Sequence, residues 1–296
     1  MSLNVGVLMG GPSEERDVSL TTGDAVVHAC VSLGYHTNPY PFKQNYKKLK
    51  NDLKSCDIVF NALHGGIGEN GKIQAWMDQE GISYTGSGPI SSANCMDKNT
   101  CKQMAMANNV QTAKWEILDS KDQSPKLSLP FVIKPNDQGS TVGLTIVHDK
   151  SQIQKAIDEA FTHGENVMVE QYIQGRELTV TFLGDNTYPI VEIKPSHELY
   201  DYECKYTPGL SEYICPADLP KNVEHEIHQA TKTMFHQLGC SVYARADFLL
   251  DDADNSYFLE MNTLPGMTST SLVPKSVLAT GMSFETLVQT IIQLSL

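Results

Sequence analysis

The chain has 296 residues, a formal net charge of −13 and 41% hydrophobic residues. This composition supports a substantial core in about two or three domains and argues against disorder. The acidic balance argues against a non-specific nucleic-acid binder, which needs a basic surface, although a few local cations could still hold a phosphate ligand.

The sequence predicts a cytoplasmic protein with no membrane partner. The N-terminal sequence is typical of a short apolar strand rather than a signal peptide. No apolar run approaches the ~20 residues of a membrane span. The seven cysteines are scattered, without CxxC or Cys/His spacing. We therefore expect reduced thiols and no zinc site.

Strand and helix patterns alternate along the first part of the chain, which indicates an α/β class. A buried strand at 5–9 is followed by a glycine pair and a helix from about Ser13. A second strand at 58–66 ends in a glycine loop, and a helix over 72–79 follows. Such repeats predict a doubly wound parallel sheet that binds ligands at the carboxyl ends of its strands.

From about Met96 the pattern changes to that of a small α+β domain. A helix precedes a strand at 130–135 and a glycine-containing loop at 136–143, and further strands and a helix follow. A last domain begins at about 181, with a loop rich in Tyr and Pro, a helix at 221–238 and a hairpin. The predicted domains are 1–97, 98–180 and 181–296.

The hairpin, ARADFLLDDADNSYFLEMN, carries polar residues at alternating positions. If its loop is symmetric about 253–254, Asp247 faces Glu260 and Arg245 faces Asn262. Side chains alternate faces along a strand, so these four share one face. The opposite face is expected to form core through Ala246, Phe248, Leu250, Tyr257, Leu259 and Met261.

Two opposed carboxylates repel each other unless a cation or proton lies between them. The side chains of Asp247, Glu260 and Asn262 offer oxygen ligands that suit Mg²⁺ rather than zinc. A glutamate between an aspartate and an asparagine could bridge two ions, and Arg245 would face a developing negative charge. An ordinary solvated hairpin with an Arg–Asp pair is the alternative.

Cations for a phosphate ligand occur upstream. Lys134 lies in an apolar strand, where an unpaired ammonium is costly. The loop at 136–143 could aim N–H groups at phosphate oxygens, although it is not a Walker A motif and a plain hairpin turn fits equally well. Near the N-terminus, Glu14 and Glu15 would repel pyrophosphate, so that segment suits an ammonium group.

Several motifs occur together in one order: GGPSEERDVS, ALHGGIGENG, YTGSG, MDK, VIKPNDQGSTVG, VEQYIQGRE, YDYECKY, ARADFLL and LEMNTLPGMTSTSLVP. In this order, and over essentially the whole chain, they resemble the D-alanine–D-alanine ligases of the ATP-grasp superfamily. The resemblance implies an N-terminal doubly wound parallel sheet domain that binds substrate, followed by a two-lobed ATP-grasp fold.

The resemblance also implies a nucleotide site. The phosphates of ATP would meet Lys98 and Lys134, with the loop around Ser140 closing over them and Lys205 reaching the transferred phosphate. Glu177 would accept from the ribose hydroxyl. The adenine-binding hinge would consist of Glu170, Gln171, Tyr172 and Ile173. Two Mg²⁺ ions, for which Mn²⁺ could substitute, would be held by Asp247, Glu260 and Asn262.

For the amino-acid substrates, the resemblance implies that Glu15 holds the ammonium of the first D-alanine near His64. The set Glu15, Ser140 and Tyr206 would close a mobile loop at 196–212. An oxyanion hole would form from Arg245 and the Gly266 backbone. The carboxylate of the second substrate would be gripped by Ser271 and Leu272.

The implied activity is ATP-dependent joining of two D-alanines through an acyl phosphate, for peptidoglycan precursor synthesis, by a cytoplasmic homodimer. Other functions stay open. They are another ATP-grasp carboxylate–amine ligase, a non-catalytic nucleotide-binding regulator and, more distantly, a nicotinamide dehydrogenase, although GxGxxG is missing. Taken singly, Glu15 also fits a helix N-terminal acid, His64 a structural histidine, and Lys98 and Lys205 surface lysines.

Overall fold

The N-terminal part is built on a parallel sheet of three strands in the order β2-β1-β3, in a computed structural model that describes residues 2–196 and 209–296. The strands are β1 (Asn4–Gly10), β2 (His36–Phe42) and β3 (Ile58–Asn61). The helices are α1 (Arg16–Ser32), α2 (Lys50–Lys54), α3 (Lys72–Glu80) and α4 (Pro89–Met96). The parallel sheet predicted for this region is confirmed.

Strand β2 has no counterpart in the sequence-based expectation, because its HTNPYPF sequence contains two prolines. The backbone N–H of His36 donates to the Leu3 carbonyl, and the Phe42 carbonyl accepts from the Gly11 N–H. The N–H and C=O groups of the even-numbered residues of β2 therefore point toward β1. The nitrogens of Pro39 and Pro41 therefore point away from the sheet, as proline requires on an edge strand.

A second, antiparallel sheet occupies the middle of the chain, in the order β4-β7-β5-β6. Its strands are β4 (Trp115–Leu118), β5 (Phe131–Pro135), β6 (Thr145–Val147) and β7 (Val167–Gln171). Two helices belong to this stretch of sequence, α5 (Lys98–Ala107) and α6 (Ile153–Ala160). Apolar residues of α6 pack against the sheet, as their helical spacing predicts.

The third sheet is antiparallel, in the order β11-β10-β8-β12-β13, with β9 beside β8. Its strands are β8 (Arg176–Leu183), β9 (Asn186–Thr187), β10 (Val191–Pro195), β11 (Ser211–Ile214), β12 (Tyr243–Leu250) and β13 (Ser256–Asn262). The accompanying helices are α7 (Lys221–Gln237), α8 (Leu272–Leu278) and α9 (Phe284–Ser295). Within the described ranges, no helix is long and apolar enough to cross a membrane.

Sheet membership refines the boundary between the second and third domains. The boundary expected between 180 and 181 falls inside β8, which pairs along its length with β12. Cys101 and Ala105 of α5 also pack in the core of the third sheet. We propose a boundary between 171 and 176, with α5 assigned to the C-terminal core.

The β12–β13 hairpin has the expected register where the polar residues lie. Arg245 pairs with Asn262 and Asp247 with Glu260. A bulge then shifts the register, because Phe248 pairs with Phe258. The expectation that Tyr257 and Leu259 belong to the core face is wrong: Phe258 is buried there instead, since the extra residue reverses the alternation.

Candidate functional site

Two cavities meet between the sheets. The larger, about 530 Å³, lies where β5 and β7 face β10, β12 and β13. The smaller, about 110 Å³, adjoins the N-terminal loops and the segment before α8. The larger volume is typical of a small-molecule site of about 300–1,000 Å³. Both cavities are lined by Lys98, Gly139, Ser140, Arg245, Glu260 and Leu272.

The larger cavity has apolar walls that could hold a flat ring. Val132 and Leu144 come from the middle sheet region, and Leu249 and Leu259 come from the hairpin. Leu259 reaches this wall because the β-bulge turns it away from the core. Because of the bulge, Leu259 lines the cavity instead of packing in the core, where strict alternation would have placed it.

The polar face of the hairpin lies where the two cavities meet. The guanidinium of Arg245 donates to both carboxylate oxygens of Asp247, at 2.9 and 2.7 Å. Thr179 of β8 also donates to Asp247, at 2.6 Å. Across the strand pair, Glu260 lies 3.1 Å from the ammonium of Lys98. This face therefore combines two carboxylates with two cations.

The donor set on this face fits a hard divalent cation. In residues 2–196 and 209–296, no three His, Cys, Asp or Glu side chains form a metal-sized cluster. A site here therefore needs an amide oxygen beside Asp247 and Glu260. Asn262 supplies one: its side-chain oxygen accepts from the Leu264 N–H at 2.8 Å, which fixes the amide orientation on the strand. Oxygen donors of this kind suit Mg²⁺.

Lys98 is buried beside the same face. Its ammonium donates to the Gln138 carbonyl at 2.6 Å. Burial opposes its charge, but the neighbouring Glu260 carboxylate more than offsets burial and raises the pKa of Lys98. The lysine is thus a fixed cation at the junction of the two cavities.

A buried charge cluster lies at the end of β7. The Glu170 carboxylate contacts the ammonium of Lys102, and its other oxygen lies 2.5 Å from the ammonium of Lys134. Burial alone would raise the pKa of Glu170, but the two lysines outweigh it and lower the pKa to about 2. Glu170 is therefore an anion that accepts hydrogen bonds and donates none.

The segment after Glu170 continues along the wall of the larger cavity. The Gln171 N–H donates to the Lys114 carbonyl at 2.8 Å, and the Tyr172 N–H to the Pro130 carbonyl at 3.3 Å. Ile173 and Glu177 line the same wall. The expected hinge residues thus follow one edge of the cavity.

The smaller cavity is built from loops. The Ser140 hydroxyl donates to Glu15 at 2.6 Å, so the predicted contact between these two residues is present. A Cβ atom on Gly139 would lie 3.9 Å from carboxylate oxygens of both Glu15 and Glu69. Two carboxylates facing one small space suit a cationic group such as a substrate ammonium.

His64 is buried beside these carboxylates. Its Nε2 lies 2.9 Å from the Thr22 hydroxyl and its Nδ1 lies 3.7 Å from Glu69. Ser13 donates to the His64 carbonyl at 2.6 Å, which ties the loop after β1 to the loop after β3. The histidine ring is therefore held from both sides.

The loop bearing Ser140 has an unusual backbone. Ser140 and Thr141 have φ values of +51° and +65°, a region that non-glycine residues seldom occupy, β-branched ones least of all. Such conformations persist where the surroundings hold them, and they cluster at ligand clamps. The Ser140–Glu15 hydrogen bond is one such restraint.

The segment before α8 closes the smaller cavity. A Cβ on Gly266 would lie 2.7 Å from the Ser271 hydroxyl oxygen, so a larger residue would have to displace that hydroxyl. The Thr268 N–H donates to the same oxygen at 3.0 Å. Leu272, the first residue of α8, lies buried at the cavity wall.

Every predicted site residue within the described ranges lines one cavity or both. Lys205 and Tyr206 lie outside the described residues. Sequence reasoning missed Glu69 and Lys102. Glu69 follows the glycine loop and resembles an exposed loop acid. Lys102 lies one helical turn after Lys98, and this spacing on one helix face was the signal that could have found it.

A nucleotide-sized cavity between two antiparallel sheets, joined to a second polar pocket, defines the ATP-grasp class of ligases. Family models described as the D-ala D-ala ligase N-terminus and C-terminus match residues 37–87 and 101–293. A D-alanine–D-alanine ligase of Halalkalibacterium halodurans is 38% identical, over 99% of this chain and 99% of its own length. The chain belongs to the D-alanine–D-alanine ligase family.

Solved structures agree with this assignment. The D-alanine–D-alanine ligase from Bacillus anthracis is similar with a TM-score of 0.88 and 34% identity, over 99% of this chain and 97% of that one. A structure of that ligase complexed with ATP gives a TM-score of 0.87. The VanG D-Ala:D-Ser ligase from Enterococcus faecalis gives 0.85 at 28% identity, over 100% of both chains.

Proposed function

We propose that the chain joins two D-alanines into D-alanyl-D-alanine, with ATP converted to ADP and phosphate. The observation that carries the proposal is the meeting of the two cavities at Lys98, Arg245 and Glu260. A nucleotide in the larger cavity would present its terminal phosphate there to a carboxylate held in the smaller one. Family membership and the ATP-bound relative support this assignment.

Activation of the first substrate is the step that needs the two cavities to be joined. A carboxylate is a poor acyl donor, and transfer of the γ-phosphoryl group converts it into an acyl phosphate. Lys98 and Lys134 are placed to hold the phosphates, with Lys205 as a further proposed contact. Catalysis of this kind rests on positioning and charge stabilisation.

The second step is attack by a neutral amine on the acyl phosphate, which passes through a tetrahedral oxyanion and expels phosphate. We assign stabilisation of that oxyanion to Arg245 and the backbone at Gly266. Ser271 and Leu272 would hold the second carboxylate. Donors aimed at a developing oxyanion lower the barrier because they need no reorganisation during the reaction.

We assign Asp247, Glu260 and Asn262 as the residues that would hold Mg²⁺. When bound, the metal would neutralise charge on the transferring phosphoryl group. Thr179 and Arg245 hold the Asp247 carboxylate on the strand, and Lys98 does the same for Glu260. These contacts keep the oxygen donors on one face before any ligand arrives.

The first amino acid would place its ammonium near Glu15 and His64. The Ser140–Glu15 hydrogen bond ties the 136–143 loop to the N-terminal part at the wall of the smaller cavity. That arrangement helps exclude water, which would hydrolyse an acyl phosphate. Tyr206 would extend the same set from the 196–212 loop.

A homodimer in the cytoplasm is part of the same proposal, because the resemblance implies it.

Two other functions give different outcomes in solution. A regulatory nucleotide-binding protein would bind ATP without substrate-dependent turnover. A D-alanine:D-serine ligase, as VanG is named, would prefer D-serine as the second substrate.

The test is a substrate panel. Purified protein is mixed with ATP, Mg²⁺ and either D-alanine, L-alanine, or D-alanine plus D-serine, and dipeptides and phosphate are measured. We expect D-alanyl-D-alanine and an equal amount of phosphate with D-alanine, and neither with L-alanine. Phosphate release that does not depend on D-alanine, or a mixed dipeptide as the main product, would contradict the proposal.

A further inference from the structure

Lys102 is a charged residue that the proposed reaction does not use. It lies on α5, and its side chain is 0% exposed. Lys98 and Lys134, by contrast, both line the larger cavity. A lysine removed from solvent and from the ligand cavity needs another reason for its charge, because burying an ammonium is costly.

Three polar groups surround the ammonium of Lys102. It contacts the Glu170 carboxylate, donates to the Thr112 hydroxyl at 2.6 Å and to the Ala113 carbonyl at 3.3 Å. Two of the three N–H donors of the ammonium are used in these hydrogen bonds, and the Glu170 carboxylate supplies the opposite charge. The ammonium also lies 5.4 Å from the ring centroid of Trp115. Its position is therefore fixed by several independent contacts.

Two ammonium groups share the one carboxylate of Glu170, and they differ in access. Lys134 reaches the cavity, so an arriving phosphate can compete with Glu170 for it. Lys102 cannot be reached and stays with Glu170. Without Lys102, a nucleotide that engaged Lys134 would leave a buried carboxylate without its counter-charge, and such a group takes up a proton.

We propose that Lys102 is a positioning and specificity residue that keeps Glu170 an immobile, acceptor-only anion while Lys134 engages the nucleotide. This inference deepens the proposed function and rests on it. An acceptor-only group at the hinge favours the exocyclic amine of adenine, which donates. It disfavours the carbonyl of guanine, which accepts and would be left facing a negative charge.

The pKa of Glu170, lowered to about 2, agrees with this role. Burial lowers the pKa of Lys102, and Glu170 opposes that shift. Each charge thus depends on the other. A neutral residue in place of Lys102 would allow Glu170 to carry a proton and to donate to the guanine carbonyl, so discrimination between the bases would weaken.

The experiment measures binding of ATP and GTP by calorimetry with Mg²⁺ and without amino acids. For Lys102→Met we expect ATP to bind about 10- to 100-fold more weakly, as for a lost charged hydrogen bond. The ratio of ATP to GTP affinity should fall about tenfold or more. Steady-state assays should show a raised KM for ATP with kcat within about threefold.

Lys102→Arg should restore base discrimination, since it keeps a charge beside Glu170. Lys155→Met, which removes an exposed lysine on α6, should bind both nucleotides like the wild type. Unchanged discrimination in a folded Lys102→Met protein would overturn the inference. So would wild-type protein that binds ATP and GTP equally, or neither of them.

A double variant keeps the test valid if Lys102→Met does not fold alone. Glu170→Gln and Glu170→Gln with Lys102→Met should have the same ATP-to-GTP ratio, because Lys102 acts only through the Glu170 charge. A further fall in the ratio on adding Lys102→Met would overturn the inference. Binding is scored apart from dipeptide synthesis, so a protein that binds ATP selectively but makes no dipeptide contradicts the proposed function and not the role of Lys102.

Discussion

The two cavities differ in how their polar groups are held. At the wall of the larger one, Glu170 and Lys134 lie on strands and form a buried ion pair. Lys102 of α5 does not line this cavity but forms a second buried ion pair with Glu170. In the smaller one, Glu15 and His64 lie in or beside loops and are held by hydrogen bonds to hydroxyl groups. Regular elements fix charge in the first, and loops from distant parts of the chain meet in the second.

This difference separates two kinds of effect. A charge fixed where the cavities join should act on the transition state, so its loss should lower kcat. A loop carboxylate that holds a substrate ammonium should act on binding, so its loss should raise KM. Variants in the two places therefore test whether the division of labour is real.

The largest effect is expected for Glu260→Gln, at the junction. The change keeps the shape of the side chain but removes the charge that faces Lys98 and the proposed metal. Loss of several kcal/mol of charge stabilisation predicts a fall in dipeptide synthesis of about 10³-fold or more. Circular dichroism should show an unchanged fold, and near-normal turnover would remove Glu260 from the metal site.

The second-largest loss of activity is expected for Arg245→Ala. Removing one donor to a developing oxyanion costs about 10²–10³-fold in kcat. Arg245→Lys keeps the charge without the bidentate geometry and should fall between the wild type and the alanine variant. A mild effect of Arg245→Ala, measured by single-turnover dipeptide formation, would exclude the oxyanion role.

The lowered pKa of Glu170 predicts that the stability of the fold depends on pH. Its pKa is lowered from 4.5 to about 2 on folding, so the unfolded chain binds more protons between these values. The stabilisation is present above the unfolded pKa and is lost as pH falls through the folded one, by about 3 kcal/mol. Between about pH 5 and 2, the free energy of unfolding should fall by about 3 kcal/mol less in Glu170→Gln than in the wild type, as measured by urea unfolding. Parallel pH profiles would contradict the charge cluster.

The smallest effect is expected for Glu15→Gln, in the loop-built cavity. The amide oxygen can still accept from Ser140, but it no longer carries a charge for an ammonium. We expect the KM of the first D-alanine to rise about 10- to 100-fold, with kcat nearly unchanged. The matched control is Glu14→Gln, since Glu14 is exposed and adjacent. A fall in kcat alone would mean that Glu15 acts on the chemistry instead.

The same difference explains what the sequence could predict. Strand alternation placed Arg245, Asp247, Glu260 and Asn262 on one face, because a period of two is read directly from the chain. The β-bulge that turns Leu259 into the cavity has no such signal, so the core face was partly wrong. The bulge depends on how β13 pairs with β12 rather than on local sequence.

The loop-built cavity could not be derived from periodicity. The Glu15–Ser140 contact joins residues 125 positions apart, and only the family resemblance placed them together. Glu69 and Lys102 were missed because each looks like an ordinary surface charge until its buried partner is known. Strand β2 was missed because two prolines argue against a strand until its edge position is seen.

The most direct test of the central claim follows the oxygen atoms. D-alanine labelled with ¹⁸O in its carboxylate is turned over with unlabelled ATP and Mg²⁺, and the released phosphate is analysed by mass spectrometry. If the two cavities bring the carboxylate to the γ-phosphoryl group, one labelled oxygen appears in each phosphate formed per dipeptide. Phosphate without label, alongside dipeptide synthesis, would contradict the acyl-phosphate route and the junction at Lys98, Arg245 and Glu260.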